Sequence, residues 1–277
     1  MNKILAIFDG TKYSPSTTRY AIEMASNQQA MLVGVFISDM RFGNFTYSYA
    51  WDQPFVDFAA VETSQQADME KIKLNISLFN RACDEKGVHH KVHLDKGVPV
   101  REVIRESVFA DMLIVDTQTS FFSLAETMPG SFLKDILADA YCPVLVVPQD
   151  YSVYDKVVLC YDGSPSSAYA AKQFSYLLPE LAKLPVTLVS VNTTSTHHVE
   201  GGSSLKELMN QHYPGIRYEV LNGTPEEKLY TYLKENGANS IVIMGAYGRS
   251  ALVRIFQQSM STRIIKDLNL PVFITHQ

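Results

Sequence analysis

Three sets of residues in this chain have the types and spacing to meet a small anionic ligand. Gly245 and Gly248 follow the short apolar run Ile241 to Met244. A residue without Cβ lets backbone N–H groups come close to a ligand. Ser259 and Ser261 stand just before the helical pattern that runs on through Arg263, Ile264, Ile265 and Lys266. A strand, a glycine turn and a helix N-terminus together favour a phosphate. The two serines either donate hydroxyls to phosphate oxygens or cap the helix. Arg249, Arg254 and Arg263 either add positive charge there or are solvated surface side chains. Asp162 ends another apolar run, Lys156 to Tyr161, where a carboxylate suits a sugar hydroxyl or an amine donor. It also fits as a cap of the turn before Ser164, and the two roles coexist.

These residues need strands and helices to bring them together, and the chain supplies them twice. Apolar β-branched runs predict strands at Lys3 to Phe8, Met31 to Ile37, His89 to Leu94, Met112 to Val115 and Pro143 to Pro148. Ser14-Pro15 reads as an N-cap with proline in the first helical position. A helix is expected over Glu62 to Glu85, with Ile72, Ile76, Phe79 and Cys83 on one stripe. Gly97-Val98-Pro99 opens another helix.

The pattern then restarts. Lys156 to Tyr161, Val186 to Val191, Arg217 to Leu221, Ile241 to Met244 and Pro271 to Thr275 repeat the strands. Ser164-Pro165 repeats the N-cap, and Gly223-Thr224-Pro225 repeats the third helix start, where Thr224 and Glu227 predict a capping box. Two copies of a strand–helix alternation imply two parallel, doubly wound five-stranded α/β units, with ligands beyond the carboxyl ends of the strands. The expected division is 1–150 and 151–277, with the boundary in Gln149 to Tyr154. The aromatic segment Phe42 to Phe58 has almost no counterpart in the second copy. It suits a lid, an interface or local packing.

Composition narrows the function. The chain has 277 residues, 46% hydrophobic and 19% charged, with a net charge of −5. That balance argues against nucleic acid or an anionic membrane as the main partner. No apolar run is long enough to span a bilayer, and no signal-peptide layout precedes the first strand, so a cytoplasmic location is expected. Cys83, Cys142 and Cys160 read as buried structural thiols. His89, His90 and His93 read as a surface strand rather than a metal site. There is no Walker lysine, no Ser-Gly-Gly loop and no ordered Ser-His-Asp set, which argues against an enzyme.

With both copies in view, the chain resembles the universal stress protein family in its tandem form. The resemblance covers essentially the whole chain. It rests on the strand-Asp-Gly-Ser opening, the Gly-x-Pro before the third helix, the Met244-Gly245-Ala246-Tyr247-Gly248-Arg249-Ser250 stretch and the Pro-Val strand that closes each copy. It implies two five-stranded, Rossmann-like sandwiches of the adenine nucleotide alpha hydrolase type. It implies ATP or another adenine nucleotide as ligand, with or without Mg. The family pattern is Gly, two residues, Gly, nine residues, Gly, then Ser or Thr. Gly245, Gly248 and Ser259 match it, and Gln258 stands at the third glycine. By resemblance the ligand-binding residues are Asp162, Val191, Met244, Gly245, Gly248, Arg249, Gln258, Ser259, Met260 and Ser261. By resemblance too, the strands at Val144 to Val147 and Val272 to Thr275 pair the two halves, and a homodimer is a further expectation. In the first copy Val115-Asp116-Thr117-Gln118-Thr119 replaces the glycine turn. Asp116 would repel a phosphate there, so no nucleotide is expected in that half.

Overall fold

Each half opens with a strand that buries side chains on both of its faces. In β1 (Lys3–Asp9), Ile4, Ala6 and Phe8 face one side, and Leu5 and Ile7 face the other. Such a strand must lie inside a sheet covered on both faces. A computed structural model describes residues 1–39, 58–121, 130–193, 199–246 and 267–276 of the chain.

The first half continues through α1 (Pro15–Gln28), β2 (Met31–Asp39), α2 (Phe58–Glu85), β3 (His90–Gly97), α3 (Pro99–Ser107), β4 (Met112–Asp116), α4 (Ser131–Asp139) and β5 (Val144–Val147). The second runs β6 (Lys156–Cys160), α5 (Pro165–Leu177), a short 3₁₀ turn (Leu181–Lys183), β7 (Val186–Asn192), α6 (Gly202–His212), β8 (Arg217–Asn222), α7 (Pro225–Asn236), β9 (Ser240–Ala246) and β10 (Val272–His276). The Ser-Pro starts act as expected. Ser14 Oγ accepts from the Thr17 N–H at 3.1 Å, and Ser164 Oγ accepts from the Ser167 N–H at 3.0 Å.

The strands form one sheet in the order β3-β2-β1-β4-β5-β10-β9-β6-β7-β8. Both halves therefore use the same internal order. All pairs within a half are parallel. Where the halves meet, β10 runs antiparallel to β5, with Val272 opposite Val146, Phe273 opposite Leu145 and Ile274 opposite Val144. The two expected sheets are thus one. Each of the two apolar layers draws on both halves: Phe8, Leu145, Phe174 and Phe273 lie in one, and Ile7, Val146, Val158 and Val272 in the other. Burying a side chain such as Phe273 contributes about 1.5–3 kcal/mol.

Two expectations need correction. The Thr224–Glu227 capping box does not form; Thr224 is the N-cap of α7, but its side chain makes no capping bond. The helix expected from Glu62 begins at Phe58. Helix α3 brings Glu106 to His93, with Nδ1 and Oε2 3.2 Å apart. Among the described residues no group of three or more His, Cys, Asp or Glu could hold a metal ion. The three thiols are free, and burial pushes each up to about 12, so they stay protonated at neutral pH. Among the described residues no helix is long and apolar enough to cross a membrane.

Candidate functional site

Strand β6 lies between β9 and β7, and all three run parallel. Their carboxyl ends therefore open at one rim. Cys160 pairs with Met244 on one side and Val189 on the other. Asp162 follows two residues beyond Cys160, Val191 two beyond Val189, and Gly245 one beyond Met244. The fold thus gathers Asp162, Val191, Met244 and Gly245 from segments far apart in sequence. The other expected site residues, Gly248, Arg249, Gln258, Ser259, Met260 and Ser261, lie outside the described residues, as do Arg254, Arg263 and the aromatic segment 42–57.

The Asp-Gly turn after β6 is open. Asp162 is exposed; its Oδ1 accepts from the Ser164 N–H at 3.0 Å, and Oδ2 has no partner among the described residues. Gly163 has φ +82°, the left-handed region that favours glycine. The Glu200 carboxylate rests against its Cα, where a Cβ would stand. Two carboxylates therefore border the turn, and the field there favours hydrogen-bond donors over phosphate.

The equivalent turn after β1 is closed. Asp9 is only 9% exposed. Its Oδ1 accepts from the Thr11 N–H at 2.9 Å and the Thr11 hydroxyl at 2.8 Å, while Lys12 Nζ lies 3.5 Å from Oδ2. Helix α2 covers the next residue. Asn75 donates its side-chain amide to the Gly10 carbonyl at 2.9 Å, and Ile72 would stand 3.1 Å from a Cβ on Gly10. In the second half the atoms nearest to a Cβ on Gly163 belong to Glu200, in the turn before the shorter α6.

The ends of β4 and β9 differ just as clearly. A Cβ on Gly245 would stand 2.4 Å from the Ser166 carbonyl carbon and from the Ser167 nitrogen. The first turn of α5 therefore packs directly on the bare Cα of Gly245. This contact requires glycine whether or not a ligand is present. In the first half the equivalent residue is Asp116, which is 5% exposed and reaches the N-terminus of α1. Ser14 donates its hydroxyl to Asp116 Oδ2 at 2.8 Å, and the Gln118 N–H donates to Oδ1 at 2.7 Å. Burial raises the Asp116 pKa; the two donors oppose that shift and the nearby Asp150 charge adds to it. The first half so carries its own carboxylate beside the N-terminus of α1, the end of a helix that attracts anions.

Asn75, Glu200, the reach of Ile72 to Gly10 and the Ser14–Asp116 bond were not legible in the sequence. One indirect signal for the last was present: Ser14 aligns with Ser164 while Asp116 aligns with Gly245, a serine–acid pair exchanged for a serine–glycine pair between copies.

Comparison with known proteins agrees with this architecture. A family model described as the universal stress protein family matches residues 1–148 and 153–276. Universal stress protein Slr1230 of Synechocystis is 21% identical, over 98% of this chain and 99% of its own. The crystal structure of a universal stress protein from Archaeoglobus fulgidus superposes with TM-score 0.73 at 16% identity, covering 100% of this chain and 96% of that one. A universal stress protein family protein from Arabidopsis thaliana, solved with AMP bound, covers 54% of this chain and 93% of its own at 15% identity, with a TM-score of 0.36 that carries no argument about the site here.

Proposed function

The chain belongs to the universal stress protein family, and from that premise we propose a stress-response or signalling protein that holds an adenine nucleotide, ATP or a close relative, at the carboxyl rim of its second half. Residues 151–277 form the nucleotide-holding unit and residues 1–150 its closed counterpart. Asp162 is the carrying observation: an exposed carboxylate with one oxygen held by its own turn and the other without a partner among the described residues. That oxygen suits a ribose hydroxyl or an exocyclic amine. Because Glu200 adds a second negative charge beside Gly163, the phosphate tail points away from this turn, toward the segment that follows β9. Gly248, Arg249, Gln258, Ser259, Met260 and Ser261 belong to that segment and meet the phosphates, with Mg where the ligand brings it. Val191 and Met244 flank the adenine.

The function is binding rather than catalysis, with at most very slow hydrolysis. The β5–β10 pairing takes the place of a dimer contact between single-domain relatives, and the protein works in the cytoplasm. The test is mass analysis of small molecules released when the purified protein is denatured. An adenine nucleotide in near-stoichiometric amount supports the reading. Its absence, together with no uptake of added ATP, removes it.

A second reading follows from Gly245. The packing of α5 on its Cα explains this glycine without any ligand. In that case the protein is a nucleotide-free scaffold acting through protein contacts, and the release experiment separates the two.

A further inference from the structure

Residues 148–155 join β5 to β6, and they do not run free between the halves. Tyr151 donates its hydroxyl to Glu23 Oε2 at 2.7 Å, and Tyr154 donates to Glu23 Oε1 at 2.7 Å. One carboxylate on α1 so holds two tyrosines of the connecting segment, one on each oxygen. The Arg19 guanidinium sits 3.7 Å from the Tyr151 ring centroid. The Tyr20 hydroxyl accepts from the Ser152 N–H at 3.2 Å and lies 3.0 Å from the Ser152 carbonyl, to which it donates. The Tyr20 ring packs on those of Tyr151 and Tyr154, with centroids 4.7 and 6.2 Å apart.

The far end of the segment is tied to the second half. The Asp155 N–H donates to the Asn239 carbonyl at 2.9 Å, and the Ser152 hydroxyl reaches the Asn269 carbonyl at 3.5 Å. Tyr154 is 9% exposed and belongs to the apolar layer shared by both halves.

We infer that residues 148–155 are a locked strap rather than a flexible linker, and that Glu23 is its lock. Through it, helix α1 of the first half fixes the entry of the chain into β6 of the second. Charge-assisted hydrogen bonds of this kind are the stronger ones. Burial first, and then Glu23, push the Tyr151 hydroxyl up to about 12 and Tyr154 higher still, so both remain donors at any physiological pH. The pairing of β5 with β10 spans only three residue pairs, so the strap is a second, independent tie between the halves. This inference does not depend on the nucleotide reading.

Limited chymotrypsin digestion of the full chain, followed by intact-mass analysis, tests it. Chymotrypsin cuts after Tyr, and cleavage of a closed segment tracks how often it opens. Wild-type protein should resist cutting after Tyr151 and Tyr154. Glu23→Ala should speed those two cuts about tenfold relative to cuts elsewhere, through lost charge-assisted bonds. Glu23→Gln, which keeps one acceptor oxygen, should fall between. Unchanged cutting in Glu23→Ala, or equal acceleration at every site, would overturn the lock. Should Glu23→Ala not fold, Tyr151→Phe keeps the ring and removes one donor: faster cutting after Tyr154 supports the strap, and no change overturns it.

Discussion

Asp9 and Asp162 end equivalent strands, and each precedes a glycine. Around Asp9 the chain has closed: Thr11 and Lys12 occupy its oxygens and α2 lays Ile72 and Asn75 over Gly10. Around Asp162 the described residues leave the carboxylate exposed, with one oxygen unpartnered among them. At the neighbouring strand end, Asp116 reaches Ser14 where Gly245 admits the first turn of α5. The two rims therefore differ although the strand order of the two halves is the same. The carboxylates of the first rim, Asp9 and Asp116, are buried and bonded within the chain, whereas Asp162 of the second is exposed.

The largest effect that sharpens this contrast falls at Gly245. Gly245→Ala places a Cβ against helix backbone that cannot rotate away. Overpacking of this kind costs about 1–3 kcal/mol or somewhat more. Asp116→Ala, at the equivalent place, adds no such clash; it leaves the Ser14 hydroxyl without its partner and should cost about 1–2 kcal/mol. Urea unfolding of both variants checks the order. A Gly245→Ala protein as stable as wild type would mean that α5 does not press on this residue. The same clash makes loss of nucleotide in a Gly245 variant ambiguous, so ligand tests belong at Asp162.

Helix starts give the next effect. Ser164→Ala removes a formed cap and should cost about 1 kcal/mol. Thr224→Ala removes a side chain that caps nothing and should change stability by less than about 0.5 kcal/mol. Equal losses at the two positions would show that the Thr224 cap forms in solution.

How far the sequence reached follows the same division between local and distant contacts. The apolar runs, the Ser-Pro starts and the repeat of Asp-Gly were enough for ten strands in two matching sets, because each signal lies within a few residues. The Ser14–Asp116 bond spans 102 residues, and Asn75 reaches Gly10 across 65. No local pattern marks such pairs. Gly245 was read as a ligand glycine because its immediate surroundings are a strand and a turn. Its closest neighbours, Ser166 and Ser167, come from a helix almost eighty residues earlier. Thr224 misled in the opposite way: the residue types of a capping box were present, and its side chain makes no capping bond.

The smallest expected effect concerns pH. The Asp116 carboxyl has a raised pKa in the folded state, so the folded protein holds this proton more tightly than the unfolded chain does. Its contribution to stability falls as pH rises from about 4, the ordinary carboxylate value, through the folded pKa, and then levels off. Asp116→Asn keeps one acceptor oxygen, which the Gln118 N–H can use while the Ser14 hydroxyl turns to accept from the new NH2, and it lacks this loss. The stability of the variant relative to wild type should therefore rise with pH over that window. A difference that stays flat or falls would mean that burial does not dominate at this carboxylate.

The asymmetry of the two rims is tested most directly by calorimetric titration of ATP into the full chain and into Asp9→Ala and Asp162→Ala. One nucleotide should bind per chain, with binding weakened at least about tenfold by Asp162→Ala, or about 1.4 kcal/mol, and affinity unchanged in Asp9→Ala. Two nucleotides per chain, or affinity that depends on Asp9 and not on Asp162, would contradict that asymmetry.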